Sequence, residues 1–196
     1  MIDLGEEYWT KRYADKKTGW DARQVTTPIK EYIDQLKDKS IKILIPGCGS
    51  GHEVKYLHDS GFYNVFVVDI SQTPLMEVKS RCRRYRDDQF IHGNFFNLEG
   101  KYDLILEQTF FCALHPSLRG NYIDKMNELL SENGKLVGVL FNIPLHQDEP
   151  PFGGHKTDYE GYFIPKMEVL ILEECYNSIP PRSGSELFLM ARKISN

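Results

Sequence analysis

Short apolar runs at residues 41–45, 65–68, 90–92, 102–106, 135–141, 169–172 and 187–190 predict seven strands. The second run, Val-Phe-Val-Val, shows no polar alternation, as expected of a parallel strand covered by helices on both faces. Between the runs, apolar residues recur at helical spacing. Thr27-Pro28 reads as an N-cap followed by a proline at the first helical position, leading to Ile29, Ile33 and Leu36. A further helix starts near Gly51, carries Val54 and Leu57 on one face and stops at Ser60-Gly61; the next starts at Thr73-Pro74 and runs through Leu75, Met76 and Val78. Residues 118–130 read as an amphipathic helix with Tyr122, Met126, Leu129 and Leu130 inward. Asn133-Gly134 turns the chain into the fifth run, and Pro180-Pro181-Arg182-Ser183-Gly184 joins the last two. Helices alternating with strands and a closing strand pair predict an α/β three-layer sandwich. Its seven-stranded sheet is mostly parallel, with an antiparallel closing strand.

Two stretches fall outside this pattern. Residues 8–21 mix charge and aromatics, read as a short helix followed by a loop, and hold both tryptophans of the chain, Trp9 and Trp20. Such rings anchor a segment to the body or form an aromatic wall over a bound cation. Residues 144–154 contain three prolines and two glycines and read as a surface loop placed to cover a site.

A length of 196 residues at 41% hydrophobic content fits one domain over the whole chain, 1–196, with residues 1–27 as an N-terminal lid. The net charge of −4 supplies no general basic surface for nucleic acid, and the cluster Lys79, Arg81, Arg83, Arg84 and Arg86 reads as a solvated helix face. Cysteines 48, 82, 112 and 175 lack metal or disulfide spacing, which favours free thiols in a reducing compartment. No apolar run approaches the ~18 residues of a membrane span, and the N-terminus lacks a secretory pattern. These features lead us to expect a soluble, cytoplasmic protein, a monomer rather than an assembly, without a metal, a membrane or a nucleic-acid partner.

The candidate chemistry lies at the end of the first run. Ile45-Pro46-Gly47-Cys48-Gly49-Ser50-Gly51 reads as a strand, a tight turn and a helix start, and Asp69, eighteen residues past Gly51, closes the second run where α/β units present a carboxylate to a ribose. A phosphate-binding loop would need Gly-Lys-Ser/Thr, but His52-Glu53 follows Gly51. A dinucleotide fingerprint would need glycine at position 52, and Glu53 in the first helical turn would repel a pyrophosphate. S-adenosylmethionine carries no phosphate and tolerates that helix start.

This glycine turn with Asp69-Ile70-Ser71 resembles motif I and the ribose-binding acid of class I methyltransferases, which implies a Rossmann-like sheet. Trp20-Asp21, Thr27-Pro28, Pro46-Gly47-Cys48-Gly49, Thr109-Phe110-Phe111-Cys112-Ala113 and Pro150-Pro151-Phe152 followed by Asp158-Tyr159 occur in the order seen in the thiopurine S-methyltransferase family. Within that family the chain resembles most the thiol and halide methyltransferases, from about Trp9 to Lys193. The resemblance implies that Gly47, Gly49 and Gly51 approach the methionine part of the cofactor. Asp69 and Ile70 would hold the ribose, Asn94 and Phe95 would flank the adenine, and Trp9, Trp20 and Glu107 would complete the site. It also implies an acceptor pocket of Gln108, Phe110, Phe111, Phe152 and Tyr159, in which a small soft nucleophile such as a thiol, hydrosulfide, thiocyanate or halide is methylated. Thiopurine-preferring relatives carry arginine where Gln108 stands. Other readings are a metalloid or a thiopurine-like heterocycle as acceptor, or a cofactor-binding module without turnover. No residue is singled out as the base: Cys112 reads as a packing residue, and His115, His146 and His155 are weak candidates.

Overall fold

The computed structural model describes residues 4–146 and 148–194. Six helices and seven strands follow one another as α1 (Glu6–Ala14), α2 (Thr27–Asp34), β1 (Ile43–Pro46), α3 (His52–Asp59), β2 (Val65–Asp69), α4 (Gln72–Arg81), β3 (Phe90–His92), β4 (Tyr102–Gln108), α5 (Arg119–Leu129), β5 (Leu130–Phe141), α6 (Lys156–Phe163), β6 (Met167–Glu174) and β7 (Glu186–Lys193). They form a single sheet in the order β3-β2-β1-β4-β5-β7-β6. β7 is antiparallel to both β5 and β6, and the remaining neighbours are parallel.

Alternation along the strands divides the core in two. Leu44 and Ile105 point to one face, where they join Tyr122, Ile123 and Met126 of α5 and Tyr159 and Phe163 of α6. Ile43, Ile45 and Leu104 point to the other, against Ile29 and Ile33 of α2, Val54 and Leu57 of α3, and Leu75 and Val78 of α4. Helices therefore cover both faces, which explains the unbroken apolar strands. The order reverses direction between β1 and β4, and an open α/β sheet places its ligand crevice at the carboxyl ends of the strands beside such a switch.

Several boundaries differ from the sequence reading. Thr26, not Thr27, occupies the N-cap position of α2, so Pro28 sits one place further in. β5 begins at Leu130, which pairs with Tyr102, and the register then shifts so that Leu104 meets Lys135. The Asn133-Gly134 turn is an irregularity inside the strand, with Asn133 at φ 61°, and Leu130 belongs to that strand rather than to α5. Met76 of α4 faces solvent. Helix α6 has no counterpart in the apolar pattern; its start is marked by the His155 amide donating to Asp158 Oδ2 at 2.8 Å, and it buries Tyr159 and Phe163. The link from β6 to β7 is more than a turn, because residues 180–182 form a 3₁₀ turn that buries Arg182.

Helix α1 lies apart from both core layers. None of its residues is buried, and polar contacts tie it and the following loop to the sheet ends. Thr10 Oγ1 meets Ser71 Oγ at 2.8 Å, and Glu6 meets His92 at 2.9 Å. Asp21 accepts from Ser50 Oγ at 2.8 Å and pairs with His52 at 2.7 Å, while Arg182 donates to the Trp20 carbonyl at 2.7 Å.

Candidate active site

A cavity of about 1070 Å³ opens at the carboxyl ends of β1 to β5. β1 is followed by Gly47, whose amide donates to the Val68 carbonyl at 2.8 Å, and Gly47, Gly49 and Gly51 hold φ values of 62°, 50° and 64°. That left-handed backbone favours glycine. A Cβ at Gly47 would overlap the Phe110 ring, and one at Gly49 would lie 3.7 Å from Trp20 Nε1, so these two glycines form the cavity floor. Gly51 does not reach the cavity; its missing side chain lets the turn pack on Val78 of α4.

Asp69 lines the cavity at the end of β2 and is 8% exposed. Its Oδ1 accepts the Ser71 amide at 2.8 Å. Burial pushes its pKa above the ordinary carboxylate value, and the Ser71, Gly49 and Cys48 amides oppose that shift. Ile70, Gly93, Asn94 and Phe95 continue the wall. Asn94 Oδ1, expected to face an adenine amino group, already accepts the Phe96 amide at 2.9 Å. Trp9 and Trp20 form an edge-to-face pair 5.6 Å apart above the floor, with Tyr13 packed edge-on against Trp20 at 5.6 Å.

Of the expected acceptor residues, Phe110 alone lines the cavity, leaning on Phe95 at 5.2 Å. Phe111 points the opposite way from the same turn, into a core cluster with Tyr122, Tyr159 and Phe163. Phe152 is buried beneath His115, and Tyr159 is buried with its hydroxyl donating to the Phe141 carbonyl at 2.5 Å. Gln108 lies behind the wall, its Oε1 accepting from Thr26 at 2.8 Å and its Nε2 buried without a partner.

Glu107, expected to face the crevice, is fully buried. Its Oε1 accepts the Phe110 and Phe111 amides, each at 2.8 Å, and its Oε2 accepts the Tyr122 hydroxyl at 2.7 Å. Desolvation pushes its pKa up to about 7 against the pull of these donors. It holds the turn that contains Thr109 at φ 62° and so aims Phe110 at Gly47. Glu53 is likewise buried and off the cavity wall, so repulsion of a phosphate by its charge is not what selects the ligand.

The rest of the cavity wall includes Thr109, Cys112, Leu114, His115, Phe141 and Ile143, with Pro150, Pro151 and Arg182. Burial, then the charge of Glu107, pushes the Cys112 thiol well up. His115 Nδ1 accepts the Ser117 amide at 3.2 Å, so the neutral ring carries its proton on Nε2 and offers a donor. His155 caps α6 and His146 lies exposed. Sequence reasoning missed Arg12, Tyr13 and Arg182 on the wall. Tyr13 carried a signal in its spacing of four from Trp9 on one helix face; Arg182 carried none.

The cavity combines a glycine floor that allows close approach, a buried carboxylate at the end of β2 and aromatic rings on its wall, groups that suit a nucleoside joined to a short charged chain. The family model for "Thiopurine S-methyltransferase (TPMT)" matches residues 4–191.

The chain belongs to this family.

As a member of the thiopurine S-methyltransferase family it is a methyltransferase, with S-adenosylmethionine as cofactor. It is 28% identical over 193 residues to thiocyanate methyltransferase 1 of Brassica oleracea, covering 95% of this chain and 85% of that protein. It is 29% identical over 184 residues to the probable thiol methyltransferase 2 of Arabidopsis thaliana, covering 91% and 81%. Its fold matches the crystal structure of a 1,6-didemethyltoxoflavin-N1-methyltransferase from Burkholderia thailandensis with bound S-adenosylhomocysteine. The TM-score is 0.78 at 17% identity, over 97% of this chain and 87% of the other.

Proposed function

We propose that this family member transfers the methyl group of S-adenosylmethionine to a small soft nucleophile: a thiol, hydrosulfide, thiocyanate or halide. The observation that carries this reading is the composition of the cavity wall. Its acceptor side is apolar and aromatic, Asp69 on the cofactor side is the one carboxylate on the wall among the described residues, and two arginines border it. Such a wall suits an anion that needs no general base. The similarity to proteins named for thiocyanate and thiol acceptors supports the same choice.

In this reading Asp69 accepts from the ribose hydroxyls, Gly47 and Gly49 admit the methionine chain, and Trp9 and Trp20 shield the sulfonium. When bound, the cofactor supplies an electrophilic methyl group whose bonding pair stays on the departing sulfur. Phe110, Leu114, Phe141 and Ile143 strip water from the nucleophile, which strengthens its attack, and Arg182 favours its anionic form. A thiol of pKa ~8.5 is already partly ionised near neutrality, so positioning supplies most of the remaining acceleration. Residues up to about 27 act as the lid of this single domain, and the free cysteines support a reducing, cytoplasmic setting. No helix of the described residues is long and apolar enough to cross a membrane.

The test is methyl transfer from labelled cofactor to a panel of thiols, hydrosulfide, thiocyanate, halides, metalloid anions and thiopurines. Turnover confined to soft sulfur and halide acceptors is expected. Transfer to metalloids or heterocycles alone moves the acceptor class, and tight cofactor binding with no transfer makes the protein a binding module.

A further inference from the structure

Two arginines stand on the cavity wall, and they differ in what they hold. Arg182 is committed, donating to Glu186 Oε1 at 3.3 Å and to the Trp20 carbonyl at 2.7 Å. Arg12 makes no ion pair and no side-chain hydrogen bond among the described residues, and its Nε is buried without a partner. Its guanidinium is held between two rings, 5.8 Å from the centre of Tyr8 and 5.9 Å from that of Trp20. Stacking of this kind fixes the plane of the fork and leaves its N–H edges free for a planar anion. The acid next to this segment, Asp21, is already taken by the Arg23 amide, Ser50 and His52.

Position narrows what that anion is. Asn94, Phe95 and Asp69 mark the nucleoside end of the cavity, at β2 and β3. The opposite end of the floor is Gly49, with Trp20 Nε1 set to lie 3.7 Å from a Cβ there and Arg12 against the same indole. A ligand laid from Asn94 past Asp69 and over the glycines therefore ends beneath Arg12. Arg182, by contrast, comes from the link between β6 and β7 and borders the acceptor side with Phe141 and Pro181.

We propose that Arg12 is the binding residue for the carboxylate of the cofactor's methionyl group. The proposal rests on the S-adenosylmethionine reading and assigns one contact within it. The contact also has a mechanical effect: the ligand's carboxylate gives α1, which buries no residue of its own, a charged anchor on the cavity side.

Calorimetric titration of wild type and Arg12→Gln with S-adenosylmethionine and with its decarboxylated form tests it. The decarboxylated ligand keeps the adenine, ribose, sulfonium and amine. Arg12→Gln should weaken the complete cofactor ~10- to 100-fold and leave the decarboxylated ligand within about twofold, since a hydrogen bond to a charged group is what is lost. Arg12→Lys should recover part of the affinity for the complete cofactor alone. Equal weakening of both ligands by Arg12→Gln would show a packing role and overturn the assignment, as would no weakening of either. If the wild type binds both ligands equally, the carboxylate contact falls while the cofactor reading stands; if it binds neither, both fall.

Discussion

The floor of the cavity and the segment that roofs it are held by different forces. The floor is the rim of a sheet whose strands are packed on both faces, and its polar groups are tied inward: Glu107 holds the Phe110 turn, and Asp69 is fixed by the Ser71 amide. The roof, residues 4–26, rests on ring-on-ring contacts and on polar ties at Glu6, Thr10, Trp20 and Asp21. Buried apolar area gives the floor its stability, whereas the roof's ties are hydrogen bonds and two carboxylate–histidine pairs at partly exposed positions, which contribute little each. A substitution in the floor should therefore register as lost folding or lost contact, and one in the roof as an altered, salt-sensitive grip on the ligand.

The sharpest attempt to break that contrast is Phe111→Ala. If Phe111 is core rather than acceptor wall, the variant loses ~3–5 kcal/mol in urea unfolding while its cofactor affinity, measured where it remains folded, stays near wild type. A selective loss of acceptor binding with normal stability would return Phe111 to the site. Glu107 tests the floor through pH. Its pKa is raised from 4.5 to about 7, so its contribution to stability is complete below the lower value and is lost as pH rises through the upper. Unfolding free energy should fall by up to about 3 kcal/mol over that interval, and Glu107→Gln should flatten the profile; an unchanged slope would remove Glu107 as its source.

Asp69→Ala should weaken S-adenosylhomocysteine ~10- to 100-fold by calorimetry, through loss of a charged hydrogen-bond acceptor. Unchanged affinity would take Asp69 out of the site. The smallest effect is expected in the roof. Asp21→Asn removes the charge paired with His52 and should change stability by less than about 0.5 kcal/mol, yet lower cofactor affinity by about threefold at low salt, a difference that shrinks as salt screens the wild-type pair. A loss of stability as large as that of Phe111→Ala would erase the distinction between the two regions.

What could be read from the sequence follows the same division. Strands β1 to β4, the glycine turn and Asp69 each depend on residues close together in the chain, and local pattern was enough to place them. Glycine spacing did not separate Gly47 and Gly49, which line the cavity, from Gly51, which faces Val78, because that depends on where α4 packs. Phe110 and Phe111 are neighbours that a tight turn sends in opposite directions, so resemblance located the segment without deciding which ring faces the cavity. Arg12 and Arg182 were beyond local reasoning, because their place on the wall depends on how the first and last parts of the chain meet across the sheet. Helix α6 was missed because its buried pair, Tyr159 and Phe163, sits in a segment of otherwise mixed polarity.

The tie between Arg182 and the Trp20 carbonyl spans 162 residues of sequence. During synthesis the roof is made before its partners at Ser50, His52, Ser71, His92 and Arg182, the last of which follows β6. The cavity floor has most of its local contacts well before then, so the roof closes as a late, long-range event. Any polypeptide that stops before Arg182 loses this fastening along with β7.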